Sequence, residues 1–380
     1  MTMKPGPVLA TIAFSALALG AFALAPVHSA QTGQSVQGPQ PLPGPLVQNP
    51  PKPIPITGDP RERHLKNIRM ITRGGENAEA YFSFDGKEIS FQSTRPPFKC
   101  DQEFTMDLNG QNLKLVSTGL GRTTCGYLTP DGKHMIYAST HLGAPDCPPP
   151  ADMREGYVWA IYKDFDIFYA NRDGTGLKRL TTTDGYDAEG TISPDGKKIL
   201  FTSMRDGDLE LYDMNIDGTN PRRLTHALGY DGGGWHSQDG KYIVWRANRP
   251  KTPEEIKRYK DLLAKNLVMP AAMELWIMKA DGTEQRQLTF NGGASFAPYF
   301  MPDGKRIIFA SNMKDPHGGN FDLYLINRDG TGLEQITFDQ NFDGFPMITN
   351  DGKTLIWESD RNAPTPGSTN VFLADWVDKP

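Results

Sequence analysis

The chain has 380 residues, a formal net charge of −5 and much glycine (39) and proline (31), with aromatics at 10%. A mildly acidic chain without a basic run gives nucleic acid no electrostatic footing, so nucleic acid is excluded as a partner. That composition suits many short strands joined by tight turns better than a helical protein.

The first thirty residues read as a signal peptide. Lys4 precedes an apolar stretch from Val8 to Ala25 without an acidic residue, and His28-Ser29-Ala30 offers small residues for cleavage before Gln31. The stretch is about long enough to span a bilayer, but its flanks favour cleavage over a retained anchor. No cysteine follows it closely, which argues against a lipid anchor, and no later segment reads as a transmembrane helix. Residues 31–61, with prolines at 39, 41, 43, 45, 50, 51, 53 and 55, read as a stiff linker.

From Glu62 the chain repeats itself. Asp-Gly-Lys turns recur at Asp85, Asp131, Asp195, Asp239, Asp303 and Asp351, 44 to 64 residues apart. A second turn, Asp-Gly-Thr, recurs at Asp173, Asp217, Asp281 and Asp329, with a degenerate form at Asn109-Gly110. Each copy therefore holds four strand slots, a to d: a and b flank the first turn, c and d the second. Four strands per repeat is the pattern of propeller blades. The last copy reaches strand c at Asn370-Val-Phe-Leu-Ala-Asp-Trp376, and its strand d is expected from Leu65-Lys-Asn-Ile-Arg-Met-Ile-Thr72, so that Ile68 to Thr72 pair beside Val371 to Ala374. The fold class is all-β: a six-bladed propeller over residues 62–380, closed by its first strand so that no edge is left free.

The Ser-Pro-Asp-Gly-Lys turn, Thr-Ser-x-Arg-Asp after strand b and Asn-x-Asp-Gly-Thr before strand d resemble the repeats of TolB-like propellers, over residues 62 to 377. The resemblance implies an envelope protein that is periplasmic or secreted. Relatives of this propeller also serve as gates on serine peptidases and as a sugar lyase, so fold alone leaves the activity open.

Propeller topology places the a–b and c–d turns on one face and the d–a and b–c connections on the other. The second face carries two insertions, His141–Asp164 and Arg249–Met273. Thr252-Pro-Glu-Glu255 is a capping-box pattern, and Ile256, Tyr259, Leu262, Leu263 and Leu267 follow at helical spacing. The first insertion brings Tyr157, Trp159 and Tyr162 as loop-face binding candidates.

Eight positions before each turn Asp stand Asn77, Thr123, Asp187, Asp231, Ser295 and Asp343, and six before stand Glu79 and Glu189. Convergence of these oxygens on the channel mouth would suit calcium; a solvated acidic rim is the alternative. His236 is a further mouth candidate. Ten positions after each turn Asp come Arg95, His141, Arg205, Arg249, Met313 and Arg361. They are expected to pair within the blade with strand c, as Arg205 with Glu210 and Arg249 with Glu274. Cys100, Cys125 and Cys147 fall on one face near His141. One disulfide is expected, Cys125–Cys147 or Cys100–Cys147, the other possibility being a metal site of three thiolates and the imidazole.

The functional expectation is an exported scaffold that binds an envelope protein or glycan. The alternative is a metal-dependent lyase or hydrolase working at the channel mouth.

Overall fold

The computed structural model describes residues 50–340, 342–363 and 368–379. The expected signal peptide and the first part of the linker lie outside them. Six antiparallel sheets succeed one another along the chain. Blade 1 is Glu76–Phe82, Glu88–Thr94, Gln102–Asp107 and Lys114–Leu115. Blade 2 is Thr123–Leu128, His134–Ser139, Asp166–Asn171 and Lys178–Arg179. Blade 3 is Asp187–Ile192, Lys198–Ser203, Glu210–Asn215 and Arg222–Arg223. Blade 4 is Asp231–His236, Tyr242–Ala247, Glu274–Lys279 and Arg286–Gln287. Blade 5 is Ser295–Phe300, Arg306–Ser311, Asp322–Asn327 and Glu334–Gln335. Blade 6 takes Asp343–Ile348, Thr354–Ser359 and Asn370–Trp376 from the end of the chain and Leu65–Met70 from its beginning.

The turns form because their side chains satisfy their own backbone. In blade 3 the Ser193 hydroxyl donates to Asp195 at 2.7 Å, and the same carboxylate accepts the Lys197 N–H at 3.1 Å. The strands b supply the core, with Phe91, Phe201, Trp245, Phe309 and Trp357 wholly buried.

Ring closure follows the expected pairing. Arg69 faces Leu373 and Met70 faces Phe372, and the Ile71 N–H donates to the Val371 carbonyl at 2.9 Å. A buried ion pair, Arg361 to Glu62 at 3.1 Å, ties the two ends further. Ile54–Pro55, which the sequence places in the linker, pair outside the closing strand as a fifth strand of blade 6.

The expected Arg–Glu pairings within blades are corrected. Arg205 reaches Asp187 at 3.0 Å, Arg249 reaches Asp231 at 2.5 Å and Arg361 reaches Asp343 at 2.6 Å. Glu210 is taken instead by Arg223 of strand d at 2.5 Å, and Glu274 accepts from Thr289 at 2.5 Å. The cause is steric direction. Each arginine lies back over the rings of its own blade, Arg205 at 4.8 Å from Tyr212 and Arg249 at 4.9 Å from Trp276, which aims the guanidinium at strand a.

The two insertions are joined to each other. Trp159–Ala160 of the first pairs antiparallel with Leu267–Val268 of the second. The helix Pro253–Leu263 has both bonds of its capping box. Leu262 packs with Leu267 and with Val158 of the first insertion, while Tyr259 and Leu263 face the blade core. A Cys100–Cys147 disulfide, with Cα atoms 5.9 Å apart, fastens the first insertion to blade 1, and Cys125 is free and buried. The bridge closes a loop with a sequence separation of 47. A Cys100→Ser, Cys147→Ser variant is expected to lose about 4 kcal/mol of stability by chemical denaturation. Peptide mass spectrometry of the unreduced protein should find Cys125 as the free thiol, alkylated after unfolding and not before.

Candidate functional site

Every strand a breaks register at the same place. The ladder shifts between Ala78 and Tyr81, Thr124 and Tyr127, Ala188 and Thr191, Gly232 and Trp235, Phe296 and Tyr299, and Gly344 and Met347. Within each shift one residue sits at φ between 49° and 59°: Glu79, Cys125, Glu189, Gly233, Ala297 and Phe345. Such bulges re-aim side chains, and these six residues line a cavity in the hub.

Two positions further down each strand lies the floor. Tyr81 and Trp235 have ring centroids 5.0 Å apart although they come from blades 1 and 4, and Tyr127 and Tyr299 each stand 5.0 Å from Trp235. Beyond the floor, the Gln238 amide donates to Asn350 at 2.9 Å and the Asn350 amide donates to the Phe84 carbonyl at 2.9 Å. These contacts join the a–b turns of blades 4, 6 and 1. The hub is therefore a cup with its floor toward the a–b turns, and its inner space is small, about 20 Å³.

The wall is divided by chemistry. On the side of blades 1 to 4, Glu189 accepts from Arg246 at 2.5 Å, from the Tyr230 hydroxyl at 2.6 Å, from Thr202 at 2.7 Å and from the Gly233 N–H at 2.7 Å. Glu79 accepts the Cys125 N–H at 3.0 Å. On the side of blades 5 and 6, Phe296 packs 5.3 Å from Phe345 and 5.0 Å from Phe321. Trp159, carried by the first insertion, meets the guanidinium of Arg246 at 5.4 Å and Tyr230 at 6.3 Å, so the insertion reaches the mouth of the cup.

Residues 158–260 match the model of the TolB beta propeller domain. Among solved structures, a putative TolB from Agrobacterium tumefaciens is 18% identical with a TM-score of 0.53, over 80% of this chain and 91% of that one. TolB from Acinetobacter baumannii is 17% identical with a TM-score of 0.54, over 77% of this chain and 65% of that one. The fold is a TolB-like six-bladed β-propeller. Hydrazine synthase of Kuenenia stuttgartiensis shares the same fold over 76% of this chain and 45% of its own, at 15% identity and a TM-score of 0.51. No curated protein matched the sequence.

Of the residues singled out from the sequence, the TolB-like hub gathers Glu79, Glu189 and Cys125, with Trp159 at the mouth. It does not gather Asn77, Asp187, Asp231 and Asp343. Each of these is fully buried in its own blade, and Asn77 accepts from Arg95 at 2.7 Å as the three aspartates do from their arginines. Among the described residues no three His, Cys, Asp or Glu side chains converge as metal ligands. The calcium expectation thus has its aspartates spread over separate blades, and the thiolate–imidazole set is divided between the disulfide, the hub and blade 2. His236 does not line the hub cavity, and burial lowers its pKa to about 4 against the pull of Asp213 and Asp195. Tyr157 is exposed and accepts from Trp159 at 3.3 Å, while the Tyr162 hydroxyl donates to the Pro149 carbonyl at 2.7 Å.

Sequence reasoning missed Arg246 and most of the aromatic floor. Both were available by reading further columns of the repeat. The seventh position after the turn Asp reads Gln92, Ala138, Thr202, Arg246, Ala310 and Glu358, and the fourth before it reads Tyr81, Tyr127, Thr191, Trp235, Tyr299 and Met347.

Burial shapes the titration of the hub. Burial raises the Glu79 carboxyl, with the neighbouring Glu189 charge adding to it, and burial raises the Cys125 thiol well above its ordinary range. Burial opposes the charge of Arg246, but Glu189, Tyr230, Glu79 and Tyr186 together outweigh it and hold the guanidinium protonated. Removing one partner of a buried pair strands the other charge. Glu189→Ala is expected to cost about 3–5 kcal/mol by urea denaturation, and Glu189→Gln with Arg246→Met much less.

His141 replaces the blade arginine in blade 2, where its partner position is the neutral Thr123. It bonds Ser139 at 2.9 Å, and burial lowers its pKa to about 4. The folded value lies below the unfolded value of about 6.5. The stability carried by the neutral ring is therefore complete above that unfolded value and is lost as pH falls toward 4. Between pH 7 and pH 5 the native protein should lose about 2 kcal/mol through this group, seen as the difference between wild-type and His141→Asn stability curves.

Proposed function

We propose that this chain is an exported binding protein of the cell envelope, whose loop-rich face receives a protein or glycan partner. The observation that carries the reading is the concentration of irregular structure on one face of a rigid ring. Two insertions from blades 2 and 4 pair over blade 3, one is fixed by a disulfide, and together they bring Trp159 to the mouth of the hub cup. Variable connections on a stiff scaffold are where recognition concentrates. The same face exposes Leu142, Met153, Tyr157 and Phe290, the last at 78%, and aromatic side chains supply contact area at small entropic cost. A disulfide also accords with an oxidising compartment. Among the described residues no helix is long and apolar enough to cross a membrane.

Affinity capture from envelope extract tests the reading. The wild-type protein should retain a discrete partner, and Tyr157→Ala with Met153→Ala should reduce capture at least tenfold with an unchanged melting temperature. Undiminished capture by that variant would sink the face assignment. N-terminal sequencing of the exported protein is expected to begin at Gln31.

A further inference from the structure

We propose that the hub cup is a receptor for a single primary ammonium group, seated between Glu79 and the rings of Tyr81, Trp235 and Phe345; the ligand class rests on the binding reading above. The four residues line one cavity, and the two carboxylates on its wall are not equivalent. Glu189 is saturated: two hydroxyls, one backbone N–H and the Arg246 guanidinium occupy its oxygens. Glu79 takes the Cys125 N–H and the Thr124 hydroxyl on one oxygen, and among the described residues no Lys, Arg or His stands within ion-pair distance of it. The charge of Arg246 reaches Glu79 only at a distance, since its guanidinium is engaged by Glu189 and Tyr230, and burial still disfavours the ionised form of Glu79.

The surroundings select the kind of charge. An anion would meet Glu79 directly, while the guanidinium that would attract it already donates to Glu189 and to Tyr230 at 2.7 Å. A neutral apolar ligand would bury the carboxyl without a partner. A divalent metal ion requires several converging oxygens, and the described residues bring no such set together. An ammonium group needs one carboxylate and gains from aromatic faces within about 6 Å. The apolar wall of Phe296, Phe342 and Phe345 then continues from the cation seat toward the mouth, which suits an alkyl chain trailing behind the charge. Two fully buried glutamates stand behind the wall. Glu358 accepts the Ala80 N–H at 2.6 Å, and Glu103 lies so close to Gly126 that a Cβ there would meet its carboxyl carbon at 2.1 Å.

The ammonium has two sources, a lysine side chain of a protein partner or a free alkylamine. Isothermal titration of the full chain with n-butylammonium, its neutral isostere n-butanol, calcium chloride and a terminally blocked Gly-Lys-Gly peptide tests the seat and separates the sources. Saturable binding of butylammonium, absent with butanol and weakened at least tenfold by Glu79→Gln, is the expected result. A peptide at least tenfold tighter than butylammonium assigns the seat to a lysine side chain, and equal or weaker peptide binding assigns it to a free amine. Trp235 fluorescence, read as wild type minus Trp235→Phe, should shift with butylammonium alone and serves if the Glu79 variant does not fold. Equal responses to butylammonium and butanol, binding untouched by Glu79→Gln, or binding of calcium in place of the ammonium would each overturn the proposal. Loss of partner capture in the Tyr157 variant alongside a negative amine titration would leave the loop-face reading standing and remove this one.

Discussion

The hub depends on one backbone conformation repeated six times. A regular strand directs alternate side chains to opposite faces, and six regular strands around an axis would present only a smooth, narrow wall. The left-handed residue in each strand a interrupts that alternation. For a residue with a side chain this conformation costs roughly 1–2 kcal/mol, and five of the six positions here carry one. The surrounding ladders hold it in place, because strand b pairs with strand a on both sides of the shift. What the fold gains is a ring of six inward positions, five of them with side chains, of which Glu79 and Glu189 also bond across to the next blade. The cup, its divided wall and its contact with Trp159 all follow from that ring.

The buried Asp–Arg pairs show the complementary rule, in which a repeated position serves the repeat. Blades 3, 4 and 6 have the full pair, blade 1 keeps the arginine against Asn77, and blades 2 and 5 are neutral at both places, Thr123 with His141 and Ser295 with Met313. In blades 2 and 5 the acid and the base are absent together, and in blade 1 the amide of Asn77 takes the acid's place against Arg95. A buried charge whose partner has been lost costs several kcal/mol, so the two positions behave as a unit. In blades 1, 2, 3, 5 and 6 a serine at the end of strand b stands beside this pair, and Ser203 accepts from Arg205 at 2.8 Å.

Much of this was legible in the sequence because repetition averages out local ambiguity. The six turns, the four slots of each repeat, the closing strand and the capped helix could be read from spacing and turn chemistry, and the face assignment predicted that two of the three cysteines would meet. The failures have a common cause. Reading residues by distance from a turn finds the column but not the direction in which a side chain leaves the strand. Asp187, Asp231 and Asp343 were therefore assigned to the channel although they stay inside the blades, and Arg205 was matched to Glu210 across strands b and c although its guanidinium lies over Tyr212 and bonds Asp187 of strand a. The pairing of the two insertions was out of reach for another reason: Trp159–Ala160 and Leu267–Val268 are two-residue strands without periodicity, brought together by the ring beneath them.

The Cys100–Cys147 bridge separates two stages in the life of the molecule. Closing the ring uses hydrogen bonds, apolar contacts and ion pairs between the first segment and the last blade, none of which needs an oxidant. The bridge joins segments that already lie on neighbouring blades of the closed ring, and its formation fixes the insertion that carries Trp159 to the mouth. A chain in a reducing compartment can thus complete its scaffold while the insertion stays unfastened. Fastening it is then a separate chemical step, governed by the redox conditions the chain meets rather than by the contacts that close the ring.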